Sequence, residues 1–298
     1  MDDTLCGKID LVRKYLPDNS ENPTTLDFYD NKNFLEYCPQ KNCNSELEQI
    51  TIGFLWLLGE CYSTLTGRVY NENNTNAFFI YIISWLSYKL NQNKEEKFAT
   101  INDFFTEYVK KSGKYKRFIS DAFKFGNFEE FMNERNDFMN INIEDLSKFY
   151  DASKLLCNMY GNVEKNANDT TLSNDAKDFA KKYTGLNEGY NIESSARIKI
   201  LPFLSTDYNN LKEKCNNVQP RSFPPLPEIA TSISAQMSGV TSPSLSTGSK
   251  LFTVLSIFGA IAFFLGISYK YSLFGFRKRA QKQYLREKIK KIKKKMNH

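Results

Sequence analysis

Residues Ala77–Leu90 read AFFIYIISWLSYKL, fourteen positions with Lys89 as the only charge. Whether this stretch crosses a membrane or fills a protein core decides the fold. A bilayer core of about 30 Å takes roughly 20 apolar residues as a helix, and runs of about 10–14 are more often buried core helices. Fourteen residues fall on the core side. The stretch is also apolar all round, as a helix in the middle of a bundle is. The preceding segment supplies a partner for it. Ile50, Phe54, Leu55, Leu57, Leu58, Cys61, Tyr62 and Leu65 recur at helical spacing up to Gly67. Ser45-Glu46-Leu47-Glu48 opens that segment with a capping-box pattern. These two helices are predicted to form the centre of the domain.

Working outward, the same periodicity recurs on both sides. Leu5, Ile9, Val12 and Leu16 form a stripe that Pro17 ends. Downstream, Asn102 is read as the cap of a helix carrying Phe104, Phe105, Tyr108 and Val109, closed near Gly113. Phe128, Phe131, Met132, Arg135 and Phe138 continue the period. Asn142 is read as opening a helix through Leu146, Phe149, Leu156 and Cys157 to Gly161. Asn162–Thr171 reads as a loop, Ser173 as the start of a shorter helix ending at Gly185, and Phe203–Cys215 as the last helix. No alternating stretch of strand length competes, so the fold class is all-α: a helical bundle over residues 1–215.

Beyond residue 215 the composition changes. Residues 216–249 hold five of the nine prolines with repeated Ser and Thr, which reads as a flexible stalk. Leu251–Tyr269, LFTVLSIFGAIAFFLGISY, then runs nineteen residues without a charge. That length suits a single transmembrane helix, placed at residues 250–271. Within it Gly259, Ala262 and Gly266 fall near one face, where small residues permit close helix packing. Residues 272–298 form a basic tail, with Arg277, Lys278, Arg279, Lys282 and Arg286 next to the apolar run and expected at anionic lipid headgroups.

The whole-chain charge of +6 averages two unlike parts, +11 from Lys270 to His298 and −5 before it. The excess of Lys and Arg on the C-terminal side of the apolar run predicts a cytoplasmic tail and a head outside. The cysteines point the same way. Cys6, Cys38, Cys43, Cys61, Cys157 and Cys215 all precede the run, an even number on one side of it. That suits an oxidising compartment and up to three disulfides, with the pairing open. The first residues, MDDTLCGKIDLVRKYLP, lack the basic and apolar regions of a signal peptide, so the downstream run is expected to direct targeting.

Catalytic chemistry is sparse. The one histidine is His298, which removes Ser-His-Asp and Cys-His arrangements and His-containing zinc sites. No C-x-x-C pair, Walker loop or G-x-G-x-x-G is present. Acidic pairs such as Glu129/Glu130 and Glu144/Asp145 sit where helices start, where the helix dipole favours them. The expectation is a protein with no enzyme activity, no cofactor, no metal, no small-molecule substrate and no nucleic-acid partner. Its basic tail meets membrane lipid instead.

Several longer stretches carry a family resemblance. Cys6 precedes RKYLP at Arg13–Pro17, followed by ITIGFLWLLGECY at Ile50–Tyr62 and FIYIISWLSYKLNQ at Phe79–Gln92. FYDASKLLCNMY at Phe149–Tyr160 and the C-terminal YSLFGFRKRAQKQYLREKIKKIKKKMNH complete the set. With these the chain closely resembles the Plasmodium interspersed repeat (PIR) proteins, in particular their rodent-malaria branch. The resemblance implies a variant antigen of blood-stage parasites at a parasite or infected red-cell membrane, with a helical, disulfide-stabilised ectodomain. It also implies roles in antigenic variation, immune evasion and binding to a host-cell receptor or immune protein. The alternative is an intracellular tether or host-cell remodelling protein with a cytosolic head, which requires free thiols.

Overall fold

A computed structural model of the chain describes residues 1–18, 26–66, 70–124, 128–165, 169–189, 191–216 and 223–229. The apolar run 251–269 with Gly259, Ala262 and Gly266 lies outside the described residues. So does the tail with Arg277, Lys278, Arg279, Lys282 and Arg286. Among the described residues no helix is long and apolar enough to cross a membrane, and there is no strand beyond one isolated bridge between Thr100 and Asn142.

The helices are α1 (Asp3–Tyr15), α2 (Lys32–Leu35), α3 (Glu46–Thr66), α4 (Glu72–Gln92) and α5 (Ile101–Asp103). A π-helix (Phe104–Lys111) follows, then α6 (Lys116–Lys124), α7 (Phe128–Asn133), α8 (Asn136–Met139) and α9 (Ile143–Ser147). Three longer helices close the head: α10 (Tyr150–Glu164), α11 (Asp169–Glu188) and α12 (Ser194–Asn216).

Helix α4 is the centre, as its composition predicts. Every residue from Phe78 to Ser87 is buried, and α3, α9, α10 and α12 pack around it. Asn71 caps it by accepting a hydrogen bond from the Asn74 amide, so it starts a turn and a half before the apolar run. Those added turns are polar, and the apolar length stays that of a core helix. Gly53 lets α1, α3 and α4 approach closely. A methyl group there would meet Leu16 at 3.0 Å, Val12 at 3.1 Å and Trp85 at 3.2 Å.

Local details depart from the sequence reading where side chains rather than periodicity set the ends. At the start of α3 the Ser45 hydroxyl accepts from the Glu48 amide, while the Glu48 carboxylate takes the Asn44 amide, one residue earlier than a capping box would. Thr100 and Asp103 form the capping box that opens α5, displacing Asn102 from that role. Asn142 caps only the short α9, and the chain turns at Lys148–Phe149 before α10 begins. Helix α10 runs past Gly161 to Glu164 and α11 begins at Asp169, so most of the stretch read as a loop over Asn162–Thr171 is helical. Helix α12 begins at Ser194 and carries Pro202 inside it.

The head also reaches further than residue 215. Part of the segment read as stalk, residues 223–229, lies against it. Phe223 is buried with its ring 5.7 Å from that of Tyr208, and Leu226 and Ile229 pack partly buried on the core. The Tyr208 hydroxyl donates to the Pro224 carbonyl at 2.9 Å, and the Asn187 amide to the Glu228 carbonyl at 2.7 Å. Proline-rich chain needs few partners for its own amides. Here the carbonyls are satisfied from α11 and α12, and three spaced apolar side chains supply the burial.

Candidate functional site

Two disulfides organise the described cysteines. Cys6 on α1 is joined to Cys157 on α10 across 151 residues, with Cα atoms 5.3 Å apart. Cys38 is joined to Cys43 across five residues, with Cα atoms 5.5 Å apart. The sequence expectation of up to three bridges is met by two. Cys61 and Cys215, on α3 and α12, are both buried and not joined to each other. The Cys61 thiol donates to the Thr75 carbonyl, and burial pushes its pKa up to about 12, only slightly offset by Arg135. A thiol so disfavoured as thiolate is a packing group, not a nucleophile.

Beside the long bridge, α1 and α10 meet over a polar seam. Asp18, just after α1, accepts from the Tyr150 hydroxyl at 2.7 Å, from Lys154 at 3.1 Å and from Arg13 at 3.2 Å. Burial pushes the Asp18 carboxyl up, but the Tyr150 hydroxyl and the two cations together outweigh it and hold the carboxyl below its ordinary range. The Tyr150 ring is packed against those of Tyr81 and Tyr88 of α4. A fully buried pair joins the Met1 amino group to Asp207 of α12, which also accepts from the Tyr160 hydroxyl at 2.9 Å. There burial prevails and moves the Asp207 carboxyl upward against the pull of the amine.

Arg135 is the most deeply buried charge among the described residues. Sequence reading placed it on an apolar stripe, and it is 1 % exposed. Its guanidinium lies 4.2 Å from the Phe131 ring centroid and 5.8 Å from that of Phe79, and donates to the Phe131 carbonyl at 3.0 Å. These charged groups bind elements of the head to one another. A cavity between Met1, Tyr81, Ser153 and Asp207 measures about 10 Å³, about the space of one water molecule. Among the described residues no three His, Cys, Asp or Glu side chains are grouped to hold a metal ion.

Two short irregular segments adjoin at the surface of the head and form a rim. The first is Phe28–Cys43, where the bridge closes a loop with Gln40 and Lys41 at φ 51° and 61°. The Tyr29 hydroxyl ties this loop down by donating to the Cys43 carbonyl at 2.7 Å. The second runs from the π-helix through the turn after it into the start of α6, and its Lys110, Lys111, Lys114, Lys116 and Arg117 are all exposed. Tyr37 stacks edge-on against Phe118, and Arg117 pairs with Glu36 at 3.4 Å, so the two segments adjoin. By its periodicity the helix carrying Phe104 closes near Gly113, inside 110–117. The signal of that stretch was five cations in eight residues without an acidic one.

Comparison with known proteins matches most of the chain. The sequence model of the Plasmodium variant antigen proteins Cir/Yir/Bir matches residues 6–270. The solved structure of a Plasmodium PIR protein ectodomain is 31 % identical, with a TM-score of 0.57, covering 76 % of this chain and 98 % of that one. No curated protein matches the chain.

Proposed function

Because the chain belongs to the Plasmodium variant antigen family Cir/Yir/Bir, we propose that it is a membrane-anchored surface antigen whose helical head is displayed to the host. The family is one of variant antigens, not a known enzyme family. The observation that carries the display reading is the disposition of the two disulfides. Both lie in the head, on the far side of the apolar run from the basic tail, and disulfides persist in oxidising surroundings. The family match continues to residue 270, through the apolar run that would anchor the chain. The relative's description as an ectodomain supports the same reading for the head. In this view residues 250–271 span the membrane and 272–298 lie on anionic lipid inside. Since 223–229 pack on the head, the tether begins after Ile229. The host receptor or immune protein meets the rim, and sequence change among family members there serves immune evasion. The rodent-malaria branch rests on the sequence resemblance.

Limited proteolysis of intact infected cells and of exposed parasites, followed with antibodies to head and tail, tests display. Release of a head of about residue 1 to residue 230–248, with the tail retained, is the expected outcome, since proteases cut exposed unpacked chain. A head protected at both surfaces would refute it. Alkylation without reductant separates the cytosolic alternative: four cysteines blocked as two disulfides support display, and six reactive thiols support the tether.

A further inference from the structure

The turn at 110–117 is the least expected feature of a head whose chain up to residue 269 carries net negative charge. It contains Lys110, Lys111, Lys114, Lys116 and Arg117 and no acidic residue. Its foundation is apolar: Phe104, Phe105, Val109, Tyr115 and Phe118 are buried, and all five cations stand in solvent. Lys110 and Lys111 end a π-helix eight residues long, Lys114 lies in the turn after it, and Lys116 and Arg117 open α6. Helices of the π type are mostly single-turn bulges, frequent at functional sites. The wider turn here lays Lys110 over the Phe105 ring, 5.4 Å from the centroid. Gly113, at φ 68°, then turns the chain, and Lys114, Lys116 and Arg117 follow within four residues.

Most of the charges there are weakly committed. Lys111 pairs with Glu107 at 2.6 Å and Arg117 with Glu36 at 3.4 Å, both pairs more than half exposed. Exposed pairs of this kind are weak and exchange readily for other anions. Lys114 is held more firmly, pairing at 3.1 Å with Glu48, whose side chain is 14 % exposed. Lys110 and Lys116 have no carboxylate partner among the described residues.

We propose that this turn is a docking surface for a sulfated polysaccharide, a repeating flexible polyanion of the kind that coats animal cells. The proposal rests on the display reading, because such chains lie outside cells. Three observations select this occupant. The exposed large apolar side chains of the described head are Leu26, Tyr29 and Ile198, none within the turn, so nothing there inserts into a bilayer. No aromatic ring on the turn is exposed for base stacking, since Tyr115 and Phe118 are buried and Tyr108 lies half-buried under Lys114. The net negative chain around it disfavours a long rigid polyanion, while a flexible one can engage the turn alone.

Lysine footprinting on the full-length chain in detergent reads the turn separately from the basic tail. With a heparin hexasaccharide, acylation of Lys110, Lys114 and Lys116 is expected to slow severalfold, while exposed Lys177 and Lys181 on α11 keep their rates. The desulfated saccharide should leave all of them unchanged. Lys110→Ala/Lys116→Ala is expected to raise the saccharide concentration that half-protects Lys114 on the order of tenfold, with the thermal unfolding midpoint unmoved because both side chains are exposed. Unchanged rates at the turn with heparin, or slowing spread over every exposed lysine, overturn the proposal. Equal protection by poly-glutamate, duplex DNA or phosphatidylserine vesicles also overturns it, in favour of an acidic protein, nucleic acid or membrane partner. Because the chain is purified, each result is independent of where the protein sits in the cell, and proteolysis of intact cells tests that separately.

Discussion

The seam between α1 and α10 and the rim formed by residues 28–43 and 104–117 both carry a disulfide, charges and aromatic rings, yet they use them in opposite ways. At the seam the bridge closes a loop of 151 residues, the carboxylate is shared among three donors, and the rings are buried. At the rim the bridge closes five residues, ion pairs are exposed, and backbone departs from regular helix. The same residue types therefore hold the head together in one place and shape a surface in the other. The seam tolerates little change. The exposed pairs of the rim can vary in sequence with small cost.

The sharpest way to break this comparison is to remove the bridges separately. Chain-entropy arithmetic assigns about 5 kcal/mol to closing a loop as long as that between Cys6 and Cys157, and about 2 kcal/mol to the short one. Cys6→Ala/Cys157→Ala should therefore bring the head near or below its folding threshold, since domains hold only about 5–15 kcal/mol. Cys38→Ala/Cys43→Ala should leave a cooperative unfolding transition shifted by less than half as much. Denaturant midpoints measure both. Equal shifts would mean that the rim is as structural as the seam.

The Asp18 cluster comes next. Its carboxyl lies below its ordinary range in the folded state, so the stability it adds is present above the unfolded value of about 4 and is lost as pH falls through the folded one. Asp18→Asn removes the charge that Arg13 and Lys154 face. A cost of about 1–3 kcal/mol at neutral pH is expected, discounted for the partial exposure of the cations. The difference from the parent should shrink on acidification toward pH 3. A constant difference across that range would assign the cost to packing around Tyr150 instead.

The two regions also differ in how they could be read from sequence. The centre was legible because a fourteen-residue apolar run has one physical use at that length, and α4 has it. Cys157 stands on a helical stripe and Cys6 is one of six cysteines before the apolar run, but pairing depends on how α1 and α10 cross, which no local pattern encodes. Arg135 announced itself by sitting on an apolar stripe, and the rings that receive it come from Phe79 and Phe131 on different helices. Composition misplaced 223–229. Proline and serine around Phe223, Leu226 and Ile229 read as tether, whereas the groups that fix the segment belong to Asn187 and Tyr208. The missed information lay in the receiving helices. The π-helix was invisible for a related reason: its i, i+5 contacts suit the same apolar spacing as a helix end, and only the cations beside it hinted at a surface.

The smallest effect sharpens the comparison from the other side. Lys111→Ala removes an exposed pair with Glu107, and its expected cost lies within about 0.5 kcal/mol, a shift at the edge of detection. Stability alone therefore says little about this residue, and that silence is informative when set beside a second readout. If Lys111 belongs to the surface that meets a polyanion, the substitution weakens saccharide protection of Lys114 while the unfolding curve stays fixed. If Lys111 instead clamps the π-helix, unfolding moves and protection follows only through lost structure. The seam offers no such separation, because a residue there cannot be changed without moving the fold. A rim residue that alters binding and leaves stability untouched marks the part of the head that is free to vary.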